Sequence, residues 1–220
     1  MPAPETRLPA PAPRKRAYSV RTRELDDLEG IQALMRRVYP PPLHGPEAIW
    51  GQPNLLRHMA RFHEGQFVAE GPDGLVIGTA TSMRVSLERA LAPHTWSEIT
   101  ARGTLSNHEP GGEAMYGVNI AVDPAWQSRR VGRALYQARL DLARRLGCRA
   151  FVAGARIPGY AKVAHRMSPE AYIEEVAAGR RMDPTVTKQM AVGFEVKGLL
   201  RDYSPDPETL GHAALIVLWL

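Results

Sequence analysis

A single cysteine, Cys148, stands in 220 residues. No disulfide can form within the chain, and a reducing compartment, the cytoplasm, is the expected setting. Long apolar runs are missing as well. The longest, from Ala213 to Leu220, has the length of a strand and falls well short of the roughly 18 residues that mark a membrane span. The N-terminus, MPAPETRLPAPAPRKRAY, has no apolar centre, which argues against a secretory signal; its proline and arginine content predicts a disordered tail over 1–16. Aromatic residues make up only 7% of the chain. No nucleic-acid-binding motif accompanies the net charge of +5, so that excess is not read as a nucleic-acid surface. A cleft for a polyanionic ligand would draw on the same charge, and so would a merely solvated basic face. Metal-ligand clusters are wanting too: His58 and His63 are not spaced i, i+4, and no nearby cysteine or carboxylate completes a set. No metal is expected.

What is present is ordinary globular material, 44% hydrophobic and 23% charged, enough for one domain over 17–220. Residues 17–24 read as a strand. Asp26 and Glu29 then open a helix with an apolar stripe at Leu28, Ile31, Leu34, Met35 and Val38, stopped by Pro40, Pro41 and Pro42. A second helix is expected from about Asn54 to His63. Segments 66–70 and 75–82 flank GPDG and predict a hairpin. The stretch 83–114 reads as a long irregular loop, and its Trp96 and Ile99 argue for packing and function rather than disorder. Residues 115–122 form a buried strand and 131–146 a helix striped by Val131, Ala134, Leu135, Ala138 and Leu142 and ended by Gly147; 148–154 form a second strand. That βαβ unit makes the two strands parallel neighbours. Ser168-Pro169 and Asp183-Pro184 start two more helices, closed by Gly179 and Gly193. Residues 194–203 and 213–220 make a final antiparallel pair. The order predicts a mixed α/β domain around a central sheet.

The chemistry is concentrated in VDPAWQSRRVGRAL, 122–135. A strand ends, a proline loop follows, and the chain enters a helix whose first N–H groups have no helical acceptor and whose dipole is positive there. A phosphate suits that position. Gly132 clears the approach, and Arg129, Arg130 and Arg133 add charge of the kind that recognises phosphate. The competing reading is that Gly132 serves close packing while the arginines face solvent.

This stretch resembles motif A of the GNAT superfamily of N-acyltransferases, Gln/Arg-x-x-Gly-x-Gly/Ala after a strand ending in Val-x-Pro. Val122, Pro124, Gln127 and Gly132 match; Arg130 replaces the first glycine. The offset register Arg129-x-x-Gly132-x-Ala134 also matches. Gly193-Phe194 is similar to the family's Gly-Phe turn. HTWSEIT (94–100), LYQARL (135–140), GARIPGY (154–160), MSPEAYIEEV (167–176) and KQMAVGF (188–194) together resemble a bacterial subgroup whose members often precede a carbon–nitrogen hydrolase (nitrilase-like) domain. In a chain ending at Leu220 that hydrolase is expected to be absent.

The resemblance implies a GNAT fold, with a mostly antiparallel sheet and one splayed parallel pair. It implies direct transfer of an acyl group from acetyl-CoA, or a close acyl-CoA, to the amine of a small molecule or peptide. Ile120, Ala121 and Val122 would line the pantetheine arm, with backbone groups of Ile120 and Val122 bonding it. Gln127, Ser128, Arg129, Arg130, Val131, Gly132 and Arg133 would hold the diphosphate. The family's usual acid, a tyrosine four residues before the Gly-Phe glycine, is replaced here by Gln189. Tyr160 is the first candidate substitute, ahead of Tyr172 and Tyr116, with a packed aromatic whose hydroxyl is hydrogen-bonded as the favoured alternative for each. Glu98, then His108, are the expected bases, with a loop-fixing role for His94, Trp96 and Glu98 as the alternative. A homodimer and association with a carbon–nitrogen hydrolase are the partners implied. The rival reading is a non-catalytic acyl-CoA-binding module that regulates such a hydrolase.

Overall fold

The computed structural model describes residues 17–40 and 49–220. The expected tail at 1–16 and the stop at Pro41-Pro42 lie outside the described residues. In chain order the elements are β1 (Ser19–Thr22), α1 (Leu28–Val38), α2 (Gln52–Phe62), β2 (Gln66–Glu70), β3 (Val76–Val85), α3 (Leu87–Leu91), α4 (Trp96–Ile99), β4 (Ala114–Val122), α5 (Val131–Arg145), β5 (Ala150–Arg156), α6 (Pro169–Ala177), α7 (Val186–Met190), β6 (Glu195–Leu200) and β7 (Ala213–Trp219). The strands form one seven-stranded sheet in the order β1-β2-β3-β4-β5-β7-β6. Every pairing is antiparallel except β4 with β5, which run parallel as the connecting helix requires.

Two apolar layers sandwich this sheet. Alternation along β7 sends Ala214, Ile216 and Leu218 into one core with Val131, Leu135 and Leu142 of α5, and Ala213, Leu215 and Val217 into the other with Ile31, Leu34 and Met35 of α1. Burying an aliphatic side chain of this size stabilises by about 1.5–3 kcal/mol, so α5 is fixed to the sheet along its whole stripe. Gly147 ends it at φ 67°, a left-handed conformation that only glycine adopts without strain.

Local starts differ from expectation at three helices. The first helical turn begins at Leu25, where the Glu24 and Asp27 side chains form a reciprocal box, rather than at Asp26 with Glu29. α2 starts at Gln52, with Pro53 in its first turn. α7 begins at Val186 because Asp183 Oδ1 accepts from the amides of Thr185 and Val186 at 2.8 and 2.9 Å. Within 83–114, expected as irregular, β3 runs on to Val85, and Ser86 and Thr95 cap two short helices.

α2 also anchors that segment. His58 is fully buried; its Nε2 donates to the Gly103 carbonyl at 2.7 Å and its ring meets Trp50 edge-on. Burial holds its pKa down to about 4, against the opposing pull of the Gly103 bond. The unfolded chain therefore takes up the proton first. His58 contributes its full stabilisation above about pH 6.5, and about 3 kcal/mol is lost as pH falls towards 4. Urea denaturation at pH 7.5 and 4.5 checks this: the wild type should lose more stability between the two than His58→Gln, with other acid-sensitive groups cancelling in the comparison.

Candidate acyl-CoA cleft

β4 and β5 stay paired only from Ala114 opposite Ala150 to Gly117 opposite Ala153. β4 nevertheless continues to Val122 and β5 to Arg156, so the two strands part. A bulge on β4 accompanies the fork: Thr81 and Ser82 of β3 face Asn119 and Gly117, and Val118 is skipped. The Trp96 indole N–H holds the Val118 carbonyl at 3.2 Å. A cleft of about 1,700 Å3 opens in the gap. The Asp123 amide bonds Ile77 on the β3 side at 2.9 Å; by strand alternation the backbone groups of Val122 and Ile120 point the other way, into the gap.

At the open end of the fork, α5 begins. Its first helical bond runs from the Ala134 amide to the Arg130 carbonyl, at 3.0 Å, which leaves the amides of Val131, Gly132 and Arg133 without a helical acceptor. Arg130, the N-cap, lies at φ 67°, ψ 12°, and Ser128 at φ 63°. The residue that replaces the motif's glycine therefore takes the left-handed conformation a glycine would take, at a cost of about 1 kcal/mol. Arg130→Gly is expected to relieve this strain, partly offset by the freedom glycine adds to the unfolded chain. The net gain is at most about 1 kcal/mol, or about 2–4 °C in melting temperature for a chain of this size, readable by thermal denaturation.

Ile120, Ala121, Val122, Gln127, Ser128, Arg130, Val131, Gly132 and Arg133 all line the cleft. Arg129 does not; its guanidinium lies over the Trp126 ring at 5.0 Å. Gly132 has room to spare, since a Cβ there would meet nothing nearer than Val122 Cγ2 at 3.6 Å.

The three expected catalytic side chains are placed elsewhere, and none lines the cleft. Glu98 Oε2 accepts from the Thr95 amide at 2.8 Å and the Thr95 hydroxyl at 2.9 Å, closing the capping box of α4. These bonds, the amide's first, lower its pKa and weaken it as a base. His108 Nδ1 accepts from the Arg84 amide at 3.0 Å, and its ring stacks on Phe62, fastening the loop to β3. Tyr160 is a packed core ring between Tyr172 and His212. Tyr172 donates to Asp183 at 2.8 Å, and burial pushes its pKa up. The loop-fixing alternative is thus the arrangement found for Glu98, through Oε2, and for Trp96, through its bond to Val118; His108, outside that alternative, is tied to β3 through Nδ1.

Two cleft residues to which the sequence assigns no role are Tyr136 and Arg139. Gln189, at the family's tyrosine position, donates from Nε2 to the Tyr136 hydroxyl at 2.8 Å. Both side chains line the cleft, so α5 delivers a phenol beside the position α7 leaves without one. Arg139, one turn further along α5, is 1% exposed and stacked on the rings of Tyr136 and Phe151 at 4.5 and 5.0 Å. Its Nη1 reaches the Asn119 carbonyl at 3.4 Å, while Nε and Nη2 have no partner. Burial lowers its pKa. A buried guanidinium with idle donors at the fork is suited to an anion or a carbonyl oxygen.

Parted parallel strands, open helix amides and a lining that includes Arg102, Arg130, Arg133, Arg139, Arg156 and Lys188 form a cleft whose size and charge suit a long, phosphate-bearing ligand. The chain belongs to the Acetyltransferase (GNAT) family, whose profile matches residues 33–166. It is 31% identical over 200 residues to the Uncharacterized N-acetyltransferase YkwB of Bacillus subtilis (strain 168), covering 91% of this chain and 88% of that protein. It is 34% identical over 200 residues to the Probable hydrolase YhcX of the same organism, covering 91% of this chain but only 38% of the relative's length. Among solved structures it is similar to the GphF GNAT-like decarboxylase in complex with isobutyryl-CoA, with a TM-score of 0.74 at 25% identity over 91% of this chain and 98% of that one. Among the described residues no helix is long and apolar enough to cross a membrane, and no group of three or more His, Cys, Asp or Glu could hold a metal ion.

Proposed function

We propose that the chain transfers an acyl group, the acetyl group of acetyl-CoA in the simplest case, to the primary amine of a small molecule or peptide by direct attack within a ternary complex. The observation that carries this reading is the parting of β4 from β5 beyond Gly117 and Ala153, with unpaired amides of α5 at its mouth. The amides leading into α5 and the side chains of Gln127, Ser128, Arg130 and Arg133 bind the diphosphate, and the backbone of Ile120 and Val122 binds the pantetheine arm. A backbone N–H aimed at the thioester oxygen is worth about 3 kcal/mol in transition-state stabilisation. Tyr136, whose hydroxyl already accepts from Gln189, keeps its own proton to give to the departing thiolate. The amine enters from the face of α1, α2 and α4, where Tyr39, Trp50 and Trp96 line the cleft.

The test is release of free thiol from acetyl-CoA over a panel of primary amines. Turnover that saturates in both substrates supports the reading. Tight CoA binding with no turnover of any thioester would replace it with the non-catalytic module. Arg139 motivates a second reading: its idle N–H groups suit the carboxylate of a carboxyacyl-CoA, and the similar GphF protein is described as a decarboxylase. In that case malonyl-CoA alone would lose CO2 by cleavage of the bond to its carboxylate, with the α-carbon taking a proton and no amine required. Co-purification of a carbon–nitrogen hydrolase with the full chain would support a partnership of the kind suggested by YhcX, of which this chain matches only a part.

A further inference from the structure

Glu98 and His108 leave the amine without a base, and among the described residues that line the cleft the carboxylate Asp206 is already ion-paired with Arg156 at 2.6 Å. A different route leads out of the fork. Tyr203 lines the cleft, and its ring crosses β5 at Gly154, where a Cβ would stand 2.6 Å from the phenol oxygen. The Tyr203 and Tyr116 hydroxyls are 3.0 Å apart, and both take support from the Gly154 amide. Tyr116 is wholly buried, and its hydroxyl lies 2.7 Å from His94 Nε2. His94 Nδ1 is 2.7 Å from the Ala92 carbonyl.

Directions follow from chemistry. A carbonyl only accepts, so His94 Nδ1 carries the proton and Nε2 of the neutral ring is an acceptor. Tyr116 therefore donates to His94, and Tyr203 donates to Tyr116. Tyr203, the member of this chain that lines the cleft, keeps acceptor capacity on its oxygen.

We infer that Tyr203, Tyr116 and His94 form a proton relay that deprotonates the incoming ammonium, with His94 as the terminal acceptor. It rests on the acyl-transfer reading above. As the amine gives its proton to the Tyr203 oxygen, Tyr203 passes its own to Tyr116 and Tyr116 passes its own to His94 Nε2. The balance is a neutral amine, two intact phenols and an imidazolium. No phenolate accumulates, which matters because burial pushes the Tyr203 pKa up to about 12 and that of Tyr116 well above its usual value. Burial also keeps His94 neutral and receptive, with Arg89 acting in the same sense, while Glu98 favours the imidazolium once formed. The Glu98 carboxylate thus acts on the base rather than as one.

The experiment compares two acceptors with acetyl-CoA: n-butylamine, an ammonium ion at neutral pH, and methoxyamine, whose nitrogen is already unprotonated there. The variants are Tyr203→Phe, Tyr116→Phe and His94→Gln. Removal of a positioned base costs about 100-fold or more. Each variant should lose roughly that factor in kcat/KM with n-butylamine and less than about threefold with methoxyamine. The wild-type n-butylamine profile should level off once His94 is neutral, whereas in His94→Gln it should go on rising with pH as the free-amine fraction grows. Equal losses with both acceptors would mean a structural role and overturn the relay, as would full n-butylamine activity in Tyr116→Phe. Wild-type protein that turns over neither acceptor, nor any amine of the panel above, would overturn the acyl-transfer reading itself, and the relay with it.

Discussion

Arg139→Met is expected to make the fold more stable and the protein far less active. The wild-type guanidinium is 1% exposed, and its stabilising contacts are two aromatic faces and one long bond to the Asn119 carbonyl. Two of its donor nitrogens have no partner at all. A buried charge so poorly compensated is costly, and replacing such groups with apolar side chains of similar volume has been neutral or stabilising by about 1–4 kcal/mol. Methionine is flexible enough to fill the space between Tyr136 and Phe151. Melting temperature should rise by several degrees, at about 2–4 °C per kcal/mol. Turnover should fall by about 10-fold or more, as expected for loss of a charge-assisted bond worth about 1.5–3 kcal/mol. A fall in stability together with retained activity would show that the guanidinium is a packing element.

Tyr136→Phe carries the second large effect. It removes the only hydroxyl that Gln189 is bonded to and takes away the phenol assigned above to protonate the departing thiolate. A thiol leaves with a pKa near ~8.5, so the need for an acid is weaker than for an alkoxide. The expected loss in kcat is accordingly at the lower end of acid catalysis, about 100-fold, with KM for the acyl donor changed little. Adding Gln189→Tyr to that variant puts a phenol back at the family's position and should restore at least about a tenth of the activity. Failure of the double variant to recover, with CoA affinity intact by calorimetry, would remove proton donation from this corner of the cleft.

How much of this could be read from the sequence varies with the range of the interaction. The β4–loop–α5–β5 unit was legible because each part is a local pattern: an apolar strand, a proline loop, a 3.6-residue stripe and a terminal glycine. The expected ligand-binding residues between Ile120 and Arg133 fall along the cleft, apart from Arg129, because one strand end and one helix start fix them all. The segment 83–114 reads as irregular although the capping signals of its short helices, Ser86 and Thr95 with Glu98, are local. Glu98 reads as a base by its type and loop, while the bond it makes lies only three residues away.

The side chains that give the cleft its chemistry meet over distance. Tyr136 and Gln189 are 53 residues apart, Tyr116 and Tyr203 are 87 apart, and neither pairing leaves a trace in spacing. Arg139 did leave one. It interrupts the inward stripe of α5 between Leu135 and Leu142, where a cation has no ordinary reason to be, and a buried charge on an apolar face points to a site.

The central claim is that the amides leading into α5 grip the diphosphate of an acyl-CoA. Amide chemical-shift mapping of the isotope-labelled chain during titration with CoA tests it most directly. Saturable changes concentrated on Ser128 to Arg133, and largely lost when pantetheine replaces CoA, are the predicted result. Changes centred on other amides, or none at millimolar CoA, would contradict it.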